Sequence, residues 1–210
     1  MWAGLVPLRE IRGYLCGRGG PGGLASRSIR GTLPPISKDD RLRQREGMPR
    51  ALLIHTVGHS DHTISAFVDL LCQHNITLVA DVRSQPYSRW APQFNRETLE
   101  HDLREARIGY LFLGDELGGR PSDMELYDAG LPDYARVEQS EAYQRGIEQL
   151  LETARTEEVA VMCSEGDHAD CHRHRLVAQT LLKRGIAVLH IKPDGRAVDG
   201  ERIPEQLALF

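Results

Sequence analysis

Residues 159–163, with the sequence Val-Ala-Val-Met-Cys, decide the fold that this sequence predicts. An unbroken apolar run of this length, followed at once by Ser164 and Glu165, is typical of a strand buried on both faces of a parallel sheet. Nearly continuous apolar runs also occur at residues 52–57, 78–82, 110–113 and 187–191. The sequence therefore predicts five buried strands.

Helical periodicity fills the intervals between these strands. Apolar residues recur at helical spacing after the capping residue Thr63, after Asn95, from about 141 to 155 and from about 171 to 183, where Gly185 ends the last helix. Strands that alternate with helices indicate a parallel sheet covered on both sides. We expect residues 48–195 to form one α/β domain, with a single open, mainly parallel five-stranded sheet and helices on both faces.

Composition and charge exclude several classes of protein. The chain has 210 residues, of which 40% are hydrophobic, and no apolar run approaches the roughly eighteen residues of a membrane span. Four cysteines and no secretory apolar segment favour a reducing, cytoplasmic environment. Residues 1–47 carry nine Lys/Arg against four Asp/Glu, a net +5, which leaves 17 against 26, or −9, for residues 48–210. An acidic body lacks the broad basic surface of a general nucleic-acid-binding protein.

The two ends of the chain differ from its centre. Residues 1–47 are rich in Gly and Arg, lack periodicity and are expected to be disordered. Three interpretations stay open for them: a flexible extension, an organelle presequence, and an untranslated segment upstream of a start at Met48. Residues 196–210 are predicted to form a polar tail.

Polar side chains follow each predicted strand where it ends. The carboxyl ends of parallel strands meet at one edge of a sheet, where ligands bind. Arg83, directly after an apolar strand, needs an anionic partner. That partner is either internal, namely Asp81, Glu116 or Glu165, or a carboxylate or phosphate of a substrate.

The densest polar stretch runs from Cys163 to Arg175, and three kinds of chemistry fit it. Cys171, at a predicted helix N-terminus beside His172 and Arg173, suits a nucleophilic thiolate. Alternatively, Cys163 and Cys171 provide the ligand types of a zinc site together with two of His168, His172 and His174. The spacing of the two cysteines matches no common zinc motif. The third option is binding of an anion by the helix N-terminus. No cofactor is predicted, and zinc is the alternative.

These considerations assign roles to ten residues at the sheet edge. The catalytic candidates are Cys171, Asp81 and Glu165. The candidate substrate-binding residues are His59, Arg83, Ser88, Arg120, Cys163, His172 and Arg173.

The same residues carry a resemblance to a known family. Five motifs recur in family order: Thr56-Val57-Gly58-His59-Ser60, Asp81-Val82-Arg83-Ser84 with Pro86 and Ser88, Leu113-Gly114 with Glu116-Leu117-Gly118-Gly119-Arg120, Met162-Cys163-Ser164-Glu165, and Cys171-His172-Arg173. From about residue 53 to 195 the chain resembles the domain-of-unknown-function family 488. The resemblance implies a compact α/β domain and supports this choice of site residues, and it implies no particular reaction.

The last five residues resemble a second known pattern. Gln206-Leu207-Ala208-Leu209-Phe210 is similar to the pentapeptide by which bacterial polymerases and repair proteins bind the replicative sliding clamp. Leu207, Leu209 and Phe210 would enter an apolar groove, while Gln206 forms a directional hydrogen bond.

Two hypotheses of function follow from these features. The first is an enzyme that acts on nucleic acid or nucleotides in replication or repair and is tethered to the clamp by its tail. The second is a non-catalytic adaptor module that binds an anion or DNA. Neither involves a membrane.

Overall fold

The computed structural model describes residues 52–169 and 171–204. The predictions for residues 1–47 and for the clamp-binding residues Gln206, Leu207, Leu209 and Phe210 lie outside these ranges. Within residues 52–169 and 171–204, every helix is too short or too polar to span a bilayer.

The secondary structure alternates between strands and helices. The strands are β1 (Leu53–Gly58), β2 (Leu78–Asp81), β3 (Gly109–Phe112), β4 (Tyr127–Asp128), β5 (Leu131–Pro132), β6 (Val159–Cys163), β7 (Ala187–Ile191) and β8 (Ala197–Asp199). The α-helices are α1 (Ile64–Gln73), α2 (Arg96–Glu105), α3 (Gly114–Leu117), α4 (Tyr134–Gln139), α5 (Glu141–Thr153) and α6 (Gln179–Lys183). A π-helix (Arg173–Ala178) precedes α6, and single 3-10 turns lie at Pro92–Phe94 and Met124–Leu126.

The main sheet has the strand order β3-β2-β6-β1-β7-β8. Its first five strands are parallel, while β8 pairs antiparallel with β7. The predicted α/β class and the mainly parallel sheet are confirmed, and all five predicted strands are present, but the edge strand β3 is only partly buried. For this sheet the predicted count was one strand too low, because β8 is a three-residue edge strand whose sequence lacks an apolar run. It lies inside the range 196–210 that was assigned to the tail. The prediction of a single sheet was wrong, because β4 and β5 pair antiparallel in a second, two-stranded sheet whose two-residue strands have no apolar pattern.

Apolar side chains pack on both faces of the sheet. In β6, Val159 and Val161 lie in one core cluster, with α5 and the π-helix, whereas Ala160 and Met162 lie in the other, with α1 and α2. This alternation explains the unbroken apolar run, because both faces of the strand are buried. The prediction of helices on both faces is confirmed.

Two local signals in the sequence correspond to observed helix ends. Thr63 caps α1, with its hydroxyl oxygen accepting from the backbone N–H of Ala66. Gly185 follows α6 with φ +77° and donates its N–H to the carbonyl of Leu182. A left-handed residue in this place is a common end of a helix. The predicted helix over residues 171–183 is interrupted, because its first part is the π-helix.

Candidate functional site

A cavity of about 380 Å³ opens at the carboxyl edge of the sheet. Strand β6 lies between β1 and β2, so the residues that follow these three strands converge there. Six of the predicted site residues line the cavity: Arg83, Arg120, Cys163, Glu165, Cys171 and His172. Five further residues line it that the sequence analysis did not assign to the site: Ser84, Gln85, Gly119, Tyr134 and Ser164.

Arg83 has an internal partner, which is Asp81. The carboxylate of Asp81 is fully buried, and its Oδ1 and Oδ2 accept from Nε and Nη2 of Arg83 at 2.9 and 2.6 Å. The hydroxyl of Tyr110 donates to the same Oδ2 at 2.8 Å. Asp81 therefore lies behind the cavity wall and orients Arg83, and the structure does not bring its carboxylate to the cavity.

Most of the donor capacity of Arg83 is used by the protein. Besides Asp81, it contacts the carbonyl of Phe94 through Nη2 at 2.8 Å and Nε2 of His59 through Nη1 at 3.3 Å. A guanidinium has five N–H groups, so four are engaged within the part of the chain that the structure describes. The remaining N–H is on Nη1 and is the one left for a ligand.

His59 supports Arg83 from below the cavity. Its ring stacks on Phe94 with centroids 4.2 Å apart, and Nδ1 lies 2.9 Å from the carbonyl of Ser60. A carbonyl can only accept, so Nδ1 carries the hydrogen and Nε2 accepts from Arg83. Burial lowers the pKa of His59 to about 4. The hydrogen bond with Ser60 raises this pKa by a smaller amount, and the charge of Arg83 lowers it further. The imidazole is therefore neutral at pH 7.

Two predicted substrate-binding residues are used in the structure of loops. The hydroxyl oxygen of Ser88 accepts from the backbone N–H groups of Trp90 and Ala91, at 3.1 and 3.3 Å. Arg173 is 1% exposed, and its guanidinium donates to the carbonyls of Glu165 and Gly166. Arg173 thus holds the loop that carries Glu165. Neither Ser88 nor Arg173 lines the cavity.

Two thiols, an imidazole and a carboxylate meet on one wall of the cavity. Cys163 ends β6, and its Sγ lies 3.0 Å from Oε2 of Glu165 and 3.6 Å from Nδ1 of His172. Sγ of Cys171 lies 3.5 Å from the same carboxylate oxygen and 3.8 Å from the same ring nitrogen. Cys163, Cys171 and His172 are close enough together to hold one metal ion.

The two thiols of this wall have their pKa values shifted in opposite directions. The hydrogen bond from Cys163, and then the hydrogen bond and charge of His172, lower the pKa of Cys171 to about 5 in spite of burial. The same bond with Cys171, together with burial, raises the pKa of Cys163. Burial alone would raise the pKa of Glu165, but the hydrogen bond from Cys163 and a backbone hydrogen bond hold it below its usual value. At neutral pH the wall therefore carries a Cys171 thiolate and an ionised Glu165.

A second cluster of three histidines lies near the first. His168 stacks on His190 with centroids 4.0 Å apart, and Nδ1 of His174 lies 3.0 Å from Nε2 of His190. The predicted zinc set, two cysteines with two of His168, His172 and His174, is therefore divided between two places. His172 stays with the cysteines, while His168 and His174 pair with His190 of β7, which the sequence analysis did not include.

The residues that sequence reasoning missed have weak local signals. Tyr134 begins α4 after the cap Asp133, whose carboxylate accepts from the N–H of Ala135. It follows the Gly- and Pro-containing segment 114–133, in which no pattern predicts proximity to Cys171. Ser84 directly follows Arg83 within one of the quoted motifs, and its hydroxyl oxygen accepts from the N–H of Arg120 at 2.9 Å. That motif was the available signal for Ser84.

The fold and the site motifs agree with a comparison against protein families. The family model described as Domain of unknown function DUF488 matches residues 63–181. The chain belongs to this family. Comparisons with curated proteins and with solved structures find no match. Four of the five motifs, from the Asp81 segment to the Cys171 segment, fall inside the matched range, so the cavity is built from residues of the DUF488 domain.

Proposed function

We propose that this DUF488 protein is a hydrolytic enzyme that acts on nucleic acid or nucleotides in replication or repair, and that its C-terminal residues tether it to the bacterial sliding clamp. One observation carries the enzymatic part: the cavity holds two arginines and the wall of Cys163, Cys171, His172 and Glu165. A concave polar site in which titratable groups with shifted pKa values converge is typical of an active site.

The arginines favour an anionic substrate. Arg120 is exposed, lines the cavity and makes no ion pair within residues 52–169 and 171–204. Arg83 is fixed by Asp81 and retains one N–H. Guanidinium groups bind phosphate and carboxylate oxygens well. Since the rest of the domain is acidic, binding is confined to this small area, which suits a nucleotide or the end of a strand better than a long duplex.

Glu165 is the group placed to move a proton. Its ionised carboxylate borders the cavity and can accept a proton from water, and it can return that proton to a leaving group. Positioned general bases contribute about 100-fold or more to a rate. The Cys171 thiolate beside it serves either as a nucleophile or as a metal ligand, and hydrolysis is compatible with both roles.

The enzymatic part is tested with a panel of nucleotides, base-modified nucleotides and short oligonucleotides, with products read by mass spectrometry. Glu165→Gln should slow product formation by about 100-fold, while Glu141→Gln, a change at an exposed position of α5, should leave it unchanged. Absence of product from every substrate would refute the enzymatic part. Anion or DNA binding without product would then favour the adaptor alternative.

The tether is supported by the terminal residues Gln206, Leu207, Leu209 and Phe210. Burial of two leucines and a phenylalanine stabilises a complex by about 1.5–3 kcal/mol each, less the cost of ordering the peptide, which gives an affinity on the micromolar scale. An enzyme held in this way would work in the bacterial cytoplasm, on DNA that the clamp encircles.

Truncation after Glu205 tests the tether directly. Binding to a bacterial sliding clamp should weaken at least tenfold, which needs only about 1.4 kcal/mol, while the melting temperature stays the same. Leu209→Ala with Phe210→Ala should have nearly the same effect, and Ala208→Ser, at the variable position of the pentapeptide, is the matched control. Unchanged binding after truncation would refute the tether and leave the enzymatic part standing.

A further inference from the structure

Three donor atoms on the cavity wall, Sγ of Cys163, Sγ of Cys171 and Nδ1 of His172, lie close enough together to bind one metal ion. Zinc is bound at about 2.3 Å by sulfur and about 2.0–2.1 Å by imidazole nitrogen. A sulfur and a nitrogen bound to the same zinc ion at the tetrahedral angle are therefore about 3.5–3.6 Å apart. The observed distances from Nδ1 of His172 are 3.6 Å to Cys163 and 3.8 Å to Cys171. Both sulfur–nitrogen distances therefore suit a shared zinc ion to within a few tenths of an ångström.

The imidazole of His172 is held in the tautomer that a metal needs. Its Nε2 lies 3.0 Å from the backbone carbonyl of Val82. A carbonyl only accepts, so Nε2 carries the hydrogen, and the lone pair of Nδ1 faces the two sulfurs. Histidines that bind metals almost always donate their other N–H to a carbonyl or carboxylate in this way.

We infer that Cys163, Cys171 and His172 bind one zinc ion, with its fourth position open to the cavity beside Glu165. Two thiolates and one imidazole form a ligand set that selects zinc over magnesium or calcium. Three protein ligands with an open fourth position are the pattern of catalytic zinc sites. Oε2 of Glu165, 3.0 and 3.5 Å from the two sulfurs, lies next to that open position.

A zinc ion at this place would determine how the proposed hydrolysis proceeds. The reaction described here rests on the proposed function. Zinc would bind water in the open position and favour its ionisation. The proton passes to Glu165, and the hydroxide oxygen forms a bond with the electrophilic carbon or phosphorus of the substrate. The bond to the leaving group then breaks, and that group takes its electron pair and the proton from Glu165. Cys171 is accordingly a metal ligand rather than the nucleophile.

The three-histidine cluster does not carry the same inference. Nε2 of His190 faces His174, and its Nδ1 faces Thr56 at 2.7 Å. The rings of His168 and His190 are stacked, and Lys192 and Arg173 add positive charge beside them. The cluster lines no part of the cavity, so it serves as the internal control for the zinc site.

The experiment measures zinc in the full-length protein by mass spectrometry and then replaces it with Co²⁺. We expect one equivalent of zinc, and an absorption band from thiolate-to-cobalt charge transfer that a histidine-only site cannot produce. Cys171→Ser and His172→Gln should each lower the metal affinity at least tenfold. Cys72→Ser and His174→Gln are matched controls outside the site. Glu165→Gln should retain the metal, since it removes a base and not a ligand.

Each other outcome contradicts a defined part of the inference. Wild-type protein without zinc and without the cobalt–thiolate band overturns the site, and the enzymatic proposal would then depend on Cys171 as nucleophile. Loss of metal in Glu165→Gln overturns the open fourth position. If a cysteine variant fails to fold by circular dichroism, X-ray absorption of the wild-type protein decides instead, because the site requires two sulfur ligands and one histidine ligand.

Discussion

Replacement of Arg83 by Met tests whether the ion pair with Asp81 holds the site together. Asp81 is 0% exposed, and it accepts four hydrogen bonds: from the backbone N–H, Nε and Nη2 of Arg83 and from the hydroxyl of Tyr110. Arg83→Met removes two of the four and leaves a buried carboxylate without its countercharge. Loss of one partner of a buried pair costs about 3–5 kcal/mol.

The assay is urea unfolding at neutral pH, with the free energy of unfolding compared among four variants. Arg83→Met should cost about 3–5 kcal/mol, whereas Tyr110→Phe, which removes one hydrogen bond, should cost about 1 kcal/mol. The double variant Arg83→Met/Asp81→Asn should be more stable than Arg83→Met alone, because no buried charge remains. The control is Arg145→Met, whose pair with Glu141 is exposed and contributes about 0–1 kcal/mol.

Two results would refute this reasoning. A cost below about 1 kcal/mol for Arg83→Met would mean that the pair behaves like an exposed one. A double variant no more stable than the single variant would mean that the cost comes from lost packing of the long side chain rather than from the charge left on Asp81.

Three further predictions concern the histidine ligand, acid stability and the N-terminus. A Cβ added at Gly119 would lie 2.7 Å from Cγ of His172, so Gly119→Ala should displace the ring and weaken Co²⁺ binding about tenfold or more; unchanged affinity would contradict the placement of this ligand. Burial lowers the pKa of His59 from 6.5 to about 4. The unfolded chain therefore takes up a proton at a higher pH than the folded protein, and up to about 3 kcal/mol of stability is lost as the pH falls from 6.5 to 4. His59→Gln should flatten that part of a plot of melting temperature against pH, and an equal slope in both proteins would refute the lowered pKa of His59. Deletion of residues 1–47 should leave the melting temperature nearly unchanged, and a loss of more than a few degrees would show that they pack on the domain.

Local patterns in the sequence predicted those parts of the fold that local physics determines. The five parallel strands follow from apolar runs, and the cap at Thr63 follows from its hydroxyl before an apolar-periodic segment. The convergence of Arg83, Cys163 and Cys171 followed from a general property of parallel sheets. Asp81 was one of three internal candidates for the partner of Arg83. It ends β2 only two residues before Arg83, so the guanidinium can reach its carboxylate.

The rest depends on contacts between distant segments. No pattern in the sequence predicts that β6 lies between β1 and β2, although this strand order creates the cavity. Tyr110 reaches Asp81 only because β3 pairs with β2 in a particular register. His190 approaches His174 from another strand, so the division of the histidines between two clusters had no local signal. The strand β8 gains its partner from a turn and from backbone bonding to β7, neither of which requires apolar residues.

The π-helix over residues 173–178 makes the segment that follows Cys171 and His172 tolerant of a change in length. A π-helical turn holds about one residue more than an α-helical turn, and each residue of an α-helix rotates the chain by about 100°. The six residues of this π-helix therefore turn the chain about as far as five residues of α-helix would. Deletion of a single residue there would leave a regular helix that keeps Leu181 in the core and Cys171 and His172 beside Cys163. Among related sequences, chains that are one residue shorter between residues 171 and 179 should therefore still form the site.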